Sequence, residues 1–133
     1  KKSMSISTNS GLQYIKTYRS NGPEVDPKKA VMIHYAVYFE DGSLLDTSIL
    51  EVAEQYDIVN MEIKNTGGYT PYASRIGPDD TSIPGFKEGL RLLNVGDKAI
   101  IYIPYYLAYG EEGRESIPPK SNLIFEVEIV ELK

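Results

Sequence analysis

The sequence predicts one α+β domain made of several antiparallel strands and one amphipathic helix. Two observations carry this prediction: apolar residues recur at every second position in several runs and at helical spacing in one, and a long aperiodic connection separates the last two strand runs. The 133 residues suffice for a single core. Hydrophobic residues make up 41% and charged residues 25% of the chain, which is ordinary globular usage, so we expect it to fold by itself.

The amino-terminal stretch is polar and predicts a tail, residues 1–10, ahead of a domain that spans residues 11–133. Leu12–Thr17 is a short apolar-rich run, and turn signals follow at residues 21–23 and 26–27. Residues 1–10 lack the apolar centre of a signal peptide. No run approaches the ~18 apolar residues that a membrane-spanning helix needs.

A strong strand begins at Lys29. Its apolar side chains recur at every second position and therefore share one face of a sheet: Val31, Ile33, Tyr35, Val37 and Phe39. Asp41-Gly42 predicts a tight hairpin turn, because these residues tolerate positive φ angles. The return strand is expected to begin at Leu44.

The segment after this hairpin predicts a short helix and an additional strand. Residues 48–51 fit a capping box, with a serine followed three positions later by a glutamate. Apolar residues at helical spacing behind it predict a helix over Ile49–Tyr56. From Ile58 the pattern changes to alternation, which predicts a strand, and residues 65–69 form a glycine-rich loop.

Residues 84–93 predict the main helix. Pro84 suits the first helical position, where the amide needs no intrahelical acceptor. Phe86, Leu90 and Leu93 follow at intervals of four and three, which gives one apolar face over about two and a half turns. Gly96 is expected to end the helix.

Two more strands and a long loop complete the chain. Residues 98–103 and 123–129 alternate apolar and polar side chains, which predicts two half-buried strands. The connection between them, residues 104–120, is rich in Tyr, Gly and Pro and has no periodicity. Structureless loops of this length are usually functional.

Few side chains suit nucleophilic, acid–base or metal chemistry. The chain has no cysteine and one histidine, His34, which lies in the middle of a strand and is interpreted as structural or surface. Carboxylate pairs such as Asp79-Asp80 and Glu111-Glu112 lack the spacing of a calcium or zinc site and predict solvated surface charge. We expect no metal and no cofactor. The net charge of −5 argues against nucleic acid and anionic membrane as partners.

Tyrosine is unusually frequent. The chain has eleven tyrosines, three of them within residues 105–109. Any single tyrosine is better explained as part of a β core or its rim. Together in a long loop they predict an apolar pocket with a polar edge, because the ring is apolar and the hydroxyl seeks a partner.

Five stretches carry distinctive motifs: the first hairpin (VMIHY at 31–35, EDG at 40–42, LDTS at 45–48), the helix entry (IPGFKEG at 83–89), the long loop (AYG at 108–110, IPP at 117–119), the closing strand (LIFEVE at 123–128) and the opening GLQY at 11–14. In this collinear order they resemble the FKBP-type peptidyl-prolyl cis-trans isomerases. The match runs from Gly11 to the carboxyl end. An insert of about residues 49–69 interrupts it.

The resemblance implies an FKBP-like antiparallel sheet of five to six strands wrapped around one short helix, with an inserted helix and strand. It also implies an enzyme that isomerises X-Pro bonds. That reaction suits a chain without a nucleophile, because rotation over the ~18–20 kcal/mol amide barrier breaks no covalent bond. The twisted amide has less charge separation than the planar one, so a water-poor apolar pocket favours it.

The family's site residues map onto this sequence by position. The resemblance implies five catalytic residues, Tyr35, Asp46, Phe86, Tyr109 and Phe125, and five substrate-binding residues, Leu45, Tyr72, Ser82, Ile83 and Ile117. Phe86 would form the pocket floor, and the Tyr109 hydroxyl and Ile83 N–H would donate to substrate carbonyls. Asp46 would lie beside the twisting carbonyl or orient Tyr109; without the resemblance it is equally well a turn residue.

Several positions depart from the family's common pattern. Phe86 replaces a frequent Trp, Leu45 and Tyr72 replace Phe, Ser82 replaces Val, and Arg114 replaces a loop His. Leu45 and Ser82 shrink the aromatic cage or make it wetter. The departures therefore predict weak binding of the family's macrocyclic inhibitors rather than loss of isomerase activity.

The leading interpretation is a monomeric isomerase that acts on proline-containing unfolded or partly folded proteins and assists their folding. The alternative is a chaperone or binding module of the same fold with weak or no isomerase activity, which rests on the apolar residues of the insert. A purely structural β domain would leave the tyrosine-rich loop unexplained. The polar amino-terminal stretch resembles bacterial envelope members of the family, so an extracytoplasmic location is favoured over a cytoplasmic one. The insert is expected to emerge near the pocket rim.

Overall fold

A computed structural model of the chain describes residues 6–25, 30–56, 72–75, 83–113 and 117–132. Within these residues seven strands form one antiparallel sheet in the order β1-β2-β6-β7-β3-β4, and β5 pairs with β3. The strands are β1 Ile6–Ser7, β2 Gln13–Tyr18, β3 Ala30–Phe39, β4 Leu44–Thr47, β5 Tyr72–Arg75, β6 Lys98–Ile103 and β7 Leu123–Leu132. The helices are α1 Leu50–Gln55 and α2 Pro84–Arg91, and a 3₁₀ turn spans Tyr105–Leu107. The predicted α+β class and antiparallel sheet are confirmed.

The centre of the sheet is the pairing of β3 with β7. Val37 lies opposite Phe125, and Ile33 lies opposite Ile129. Ile33 and Val37 are at most 4% exposed, which confirms the face predicted from the period-two pattern. We call this the inner face, since Phe86 and Leu90 of α2 pack against it in one core cluster. Even-numbered residues of β3 point to the opposite, outer face.

Helix α2 lies directly on strand β6. Pro84 occupies the first helical position, as predicted, and the helix ends at Arg91, five residues before Gly96. A Cβ added to Gly89 would lie 2.7 Å from Cδ1 of Ile101, so glycine permits this close approach. Gly96, with φ of +95°, belongs to the turn that leads into β6.

The predicted helix after the hairpin is confirmed as α1, but the predicted capping box is wrong. The N-cap is Ile49, and no side chain caps the helix. Ser48 is engaged by β3 instead: its Oγ accepts the Tyr35 N–H at 2.9 Å and lies 3.1 Å from Nδ1 of His34. Tertiary hydrogen bonds to the strand therefore outcompete the local cap. His34, interpreted from the sequence as structural or surface, is half-buried beside this hydroxyl.

Helix α1 covers part of the outer face. The Tyr56 ring meets the ring of Tyr38 edge to face, with centroids 5.9 Å apart. Ala36 on the outer face is 2% exposed and Ala53 of α1 is 0% exposed. The insert therefore begins on the side of the sheet opposite α2. The strand and glycine-rich loop predicted after Ile58 lie outside the described residues.

The amino-terminal stretch, expected to be a tail, is in contact with the sheet and α2 from Ile6 onward. Ile6 pairs with Tyr14 in β2. Glu88 of α2 accepts hydrogen bonds from the hydroxyls of Thr8 and Ser10, both at 2.6 Å. The two hydrogen bonds to Glu88 join residues about eighty positions apart in sequence, so local composition could not reveal them.

Candidate active site

Two phenylalanines form an apolar floor where α2 meets the sheet. Phe86 comes from the first turn of α2, and Phe125 comes from the inner face of β7. Their ring centroids are 5.0 Å apart with planes tilted by 38°. Both residues are buried but retain slight exposure, 6% and 8%, whereas Ile33 and Leu90 in the same core cluster have 0%.

Several of the predicted site residues that the structure describes pack against the same core as these two rings. Tyr35, Leu45, Ile83 and Tyr109 are half-buried and pack against the core that contains both phenylalanines. Ile117 is buried at 7% exposure. Tyr72 contributes its backbone to β5 opposite Ile33, and its side chain lies outside the described residues, as do Ser82 and Arg114.

Tyr35 and Asp46 are joined across the first hairpin. The Tyr35 hydroxyl donates to Oδ2 of Asp46 at 3.0 Å, and Oδ1 of Asp46 accepts the Thr47 N–H at 2.8 Å. The carboxylate therefore has a fixed direction beside Tyr35. This pairing was missed by sequence reasoning, which offered Tyr109 or the substrate carbonyl as the partner of Asp46. The hairpin register could have shown it, because Asp46 pairs with Val37, two residues from Tyr35.

Tyr109 sits in a tightly bonded turn. The Tyr105 carbonyl accepts the N–H groups of Ala108 at 3.0 Å and Gly110 at 2.8 Å, and the Tyr109 carbonyl accepts the Gly113 N–H at 3.2 Å. Gly110 and Gly113 both have φ of +72°, a region that favours glycine. The predicted loop therefore has a defined backbone at Tyr109.

Ile83 is the N-cap of α2. Its carbonyl accepts the N–H groups of Phe86 and Lys87 at 3.1 and 3.2 Å. Among the described residues, none accepts a hydrogen bond from the Ile83 N–H. An amide at this place lies at the positive end of the helix dipole and can donate to a bound carbonyl.

The site combines an apolar floor with hydroxyl, carboxylate and amide groups at its edge. In the part of the chain that the structure describes, no three His, Asp or Glu side chains cluster as a metal site would require. None of the described helices is long and apolar enough to cross a membrane. The arrangement suits an apolar ring on the floor and carbonyl oxygens at the edge.

Comparison with known proteins gives one consistent result. The family model for FKBP-type peptidyl-prolyl cis-trans isomerase matches residues 22–130. The FKBP-type 22 kDa peptidyl-prolyl cis-trans isomerase of Escherichia coli K12 is 36% identical over 129 residues, which cover 95% of this chain and 52% of that protein. FkpA of Aeromonas hydrophila is 32% identical over 127 residues, which cover 96% of this chain and 40% of the relative.

Solved structures agree with the sequence matches. The crystal structure of FkpA from Escherichia coli is similar with a TM-score of 0.75 at 29% identity, over 97% of this chain and 51% of that one. The crystal structure of AtFKBP13 is similar with a TM-score of 0.75 at 26% identity, over 97% and 98% of the two chains. The chain thus spans about half the length, or less, of the first curated relatives it matches.

Proposed function

The chain belongs to the FKBP-type peptidyl-prolyl cis-trans isomerase family, and from that premise we propose that it catalyses cis-trans isomerisation of X-Pro bonds in protein substrates. The observation that carries this proposal is the contact between the rings of Phe86 and Phe125, in a core against which the half-buried side chains of Tyr35, Ile83 and Tyr109 also pack. A prolyl ring is apolar and of a size that such a floor can accept.

The mechanism we propose is stabilisation of the twisted amide. Rotation about the X-Pro bond must overcome ~18–20 kcal/mol because it destroys amide resonance. The apolar floor excludes water and so favours the less polar twisted state over the planar one. The Ile83 N–H and the Tyr109 hydroxyl would hold substrate carbonyls on either side of the rotating bond. No covalent intermediate is required.

In this proposal Asp46 acts through Tyr35. The 3.0 Å hydrogen bond between them holds the phenol in one direction at the pocket edge. The carboxylate also places negative charge near the carbonyl carbon of the substrate, where the twisted amide is most electrophilic. Leu45, where an aromatic residue is common, is half-buried in this structure; we propose that it makes the cage smaller and macrocyclic inhibitors weak ligands.

The direct test is exchange NMR on a short X-Pro peptide with and without substoichiometric protein. We expect cross-peaks or line broadening between the cis and trans signals, because catalysed exchange becomes faster than the uncatalysed step of tens to hundreds of seconds. Absence of enhancement at high protein concentration would refute the isomerase and favour the chaperone.

The second candidate, a client-binding module, is supported by where the insert leaves the sheet. β4 ends with Thr47 opposite Ala36, and β5 begins with Tyr72 opposite Ile33, so both ends of the insert lie along one stretch of β3. Tyr56 at the end of α1 is 44% exposed. We propose that the insert holds segments of unfolded client while the pocket acts on their prolines.

The setting of this activity is also a proposal. FKBP-type isomerases act on proline-containing proteins, and we propose unfolded or partly folded chains as the substrates of this one, acted on by a monomer. We further propose an extracytoplasmic location, which is supported by the resemblance of its polar amino-terminal stretch to bacterial envelope members of the family. Fractionation of the producing cells, followed by immunoblotting, tests the location.

A further inference from the structure

We propose that Asn122 is a positioning residue that fixes Tyr109 through the backbone N–H and C=O groups of Tyr105. Asn122 lies just before β7, at the far end of the loop that carries Tyr109. The inference rests on the proposed isomerase function, in which the Tyr109 hydroxyl contacts the substrate. It assigns Asn122 no contact with the substrate itself.

The first link is the amide of Tyr105. This residue opens the 3₁₀ turn, and the first N–H group of such a turn has no acceptor inside it. Oδ1 of Asn122 accepts that N–H at 2.8 Å. The side chain therefore supplies the hydrogen bond that the turn cannot supply for itself.

The second link is the carbonyl of Tyr105. It accepts the N–H groups of Ala108 and Gly110, the two residues that flank Tyr109 in sequence. Both neighbours of Tyr109 are thus tied to one peptide oxygen, while Asn122 holds the amide nitrogen of the same residue. Any shift of Tyr105 would move the backbone on both sides of Tyr109.

The third link connects Asn122 to the sheet. Its Nδ2 donates to Oε1 of Glu40 at 3.1 Å, at the end of β3. Strand β3 also carries Tyr35, and its hairpin partner β4 carries Asp46. One amide side chain therefore ties the loop of Tyr109 to the strand pair that holds the other polar residues of the site.

The test is a double-mutant cycle on turnover of a short X-Pro peptide. Asn122→Ala should lower kcat/KM by about two- to tenfold, the range expected when the single neutral hydrogen bond of Tyr109 is weakened or lost. In a Tyr109→Phe background the same Asn122→Ala change should cause almost no further loss, since its effect passes through the missing hydroxyl. Losses that multiply independently in the double variant would overturn the inference.

Asn122→Ala is expected to fold, because a cleft of about 130 Å³ beside this residue, lined by Tyr102, Pro104 and Ile124 among others, can admit water to the freed Tyr105 N–H. Ser121→Ala is the matched control: it removes a 2.7 Å hydrogen bond from Ser121 Oγ to the Pro118 carbonyl in the same loop. We expect its kcat/KM to equal that of the wild type. A loss as large as that of Asn122→Ala would overturn the specific role of Asn122.

A polarity swap separates positioning from packing. Asn122→Asp keeps an acceptor for the Tyr105 N–H but brings a carboxylate to Glu40, and Glu40→Gln in the same protein restores a donor to that bridge. The double variant should recover most of the kcat/KM lost in Asn122→Asp alone. If the double variant has the same kcat/KM as Asn122→Asp alone, the hydrogen bond from residue 122 to residue 40 plays no part in positioning Tyr109.

An NMR measurement keeps this inference distinct from the proposed function. Amide shifts of residues 105 to 110 should move in Asn122→Ala and stay in place in Ser121→Ala, whether or not the protein turns over peptide. If the wild type shows no turnover, the proposed function fails while the amide shifts still decide the placement of Tyr109. Unchanged shifts in Asn122→Ala would overturn the inference even in an active enzyme.

Discussion

Tyr109 offers the least disruptive probe of the site. Tyr109→Phe removes one hydroxyl and keeps the half-buried ring that packs on the core. We expect turnover of short X-Pro peptides to fall by roughly the ~0.5–1.5 kcal/mol of one neutral hydrogen bond, with the free energy of unfolding unchanged. Peptide kinetics and urea titration of the two proteins measure both quantities. Full activity toward every peptide tested would show that this hydroxyl does not contact the substrate.

Phe86 is a buried core residue and, in our proposal, the floor of the prolyl pocket. It is 6% exposed, its ring is 5.0 Å from that of Phe125, and it belongs to the first turn of α2. Phe86→Ala should therefore lower the free energy of unfolding by ~3–5 kcal/mol and abolish most of the activity. Turnover must be compared per folded molecule, with the folded fraction taken from the same urea curve. Wild-type turnover per folded molecule would remove Phe86 from the pocket floor.

At the scale of single residues, the sequence predicted which strand residues are buried but not which side chains are hydrogen-bonded to each other. The period-two pattern correctly placed Ile33 and Val37 in the core, because burial on one face leaves a periodic signature. The hydrogen bond of Tyr35 to Asp46 and the contacts of Ser48 with β3 join residues from two strands. Such contacts depend on hairpin register, which no local pattern reports.

A buried ion pair links strand β2 to the turn that precedes β6. Asp97, 1% exposed, lies in the turn between α2 and β6, and its Oδ2 is 2.9 Å from Nζ of Lys16 in β2. It also accepts the backbone N–H groups of Ser20 and Asn94, each at 2.8 Å. Burial by itself would raise the pKa of Asp97, but these hydrogen bonds from Lys16, Ser20 and Asn94 outweigh it and lower the pKa to about 2.

This shift predicts acid sensitivity. The folded pKa of Asp97 lies below its unfolded value of ~3.9, so ionisation stabilises the fold above about pH 4, and this contribution is lost as pH falls towards 2. The shift corresponds to roughly 2–3 kcal/mol. In Asp97→Asn, urea titrations between pH 2 and 7 should therefore show a flatter stability curve than in the wild type. Glu111→Gln, an exposed loop change, is the control and should keep the wild-type slope.

Some helices and strands could be predicted from the sequence, whereas the contacts of the amino-terminal stretch could not. Helix α2 and strands β3, β6 and β7 follow from periodicity, because each buries one face against the core. The amino-terminal stretch was expected to be a tail because it is polar. Its polar residues Thr8 and Ser10 serve instead as donors to Glu88 on α2, a contact that depends on the tertiary fold. A polar stretch therefore predicts an exposed tail only when its side chains have no hydrogen-bond partner elsewhere in the fold.

At the scale of the whole molecule, the proposed pocket floor and the first part of the insert lie on opposite faces of one sheet. Phe86 and Phe125 are on the inner face with α2, whereas α1 contacts the outer face through Tyr56 and Tyr38. The insert connects the end of β4, where Thr47 lies opposite Ala36 of β3, to the start of β5, where Tyr72 lies opposite Ile33 of β3. Three residues of strand span only ~10 Å, so a short turn can replace the insert without moving the pocket.

Replacing Leu50–Gly68 with a short Gly/Ser turn is therefore a test of the whole molecule. Stability should fall, because the buried Ala53 of α1 and the ring contact of Tyr56 with Tyr38 on the outer face are lost. Turnover of a short peptide per folded molecule should stay near the wild-type value. We expect acceleration of the proline-limited refolding of a whole protein to decline, because holding the client raises the effective concentration of its prolines at the pocket.

A destabilised protein that keeps the insert is the necessary control. Ala53→Gly removes a methyl group from a fully buried position of α1 and weakens the helix without deleting it. At matched folded concentration it should accelerate refolding as the wild type does, while the shortened protein does not. Since both variants are destabilised in the region of α1 and only one lacks the insert, a difference between them reports client binding and not stability. Equal refolding acceleration by the intact and shortened proteins would leave the insert with a structural role alone.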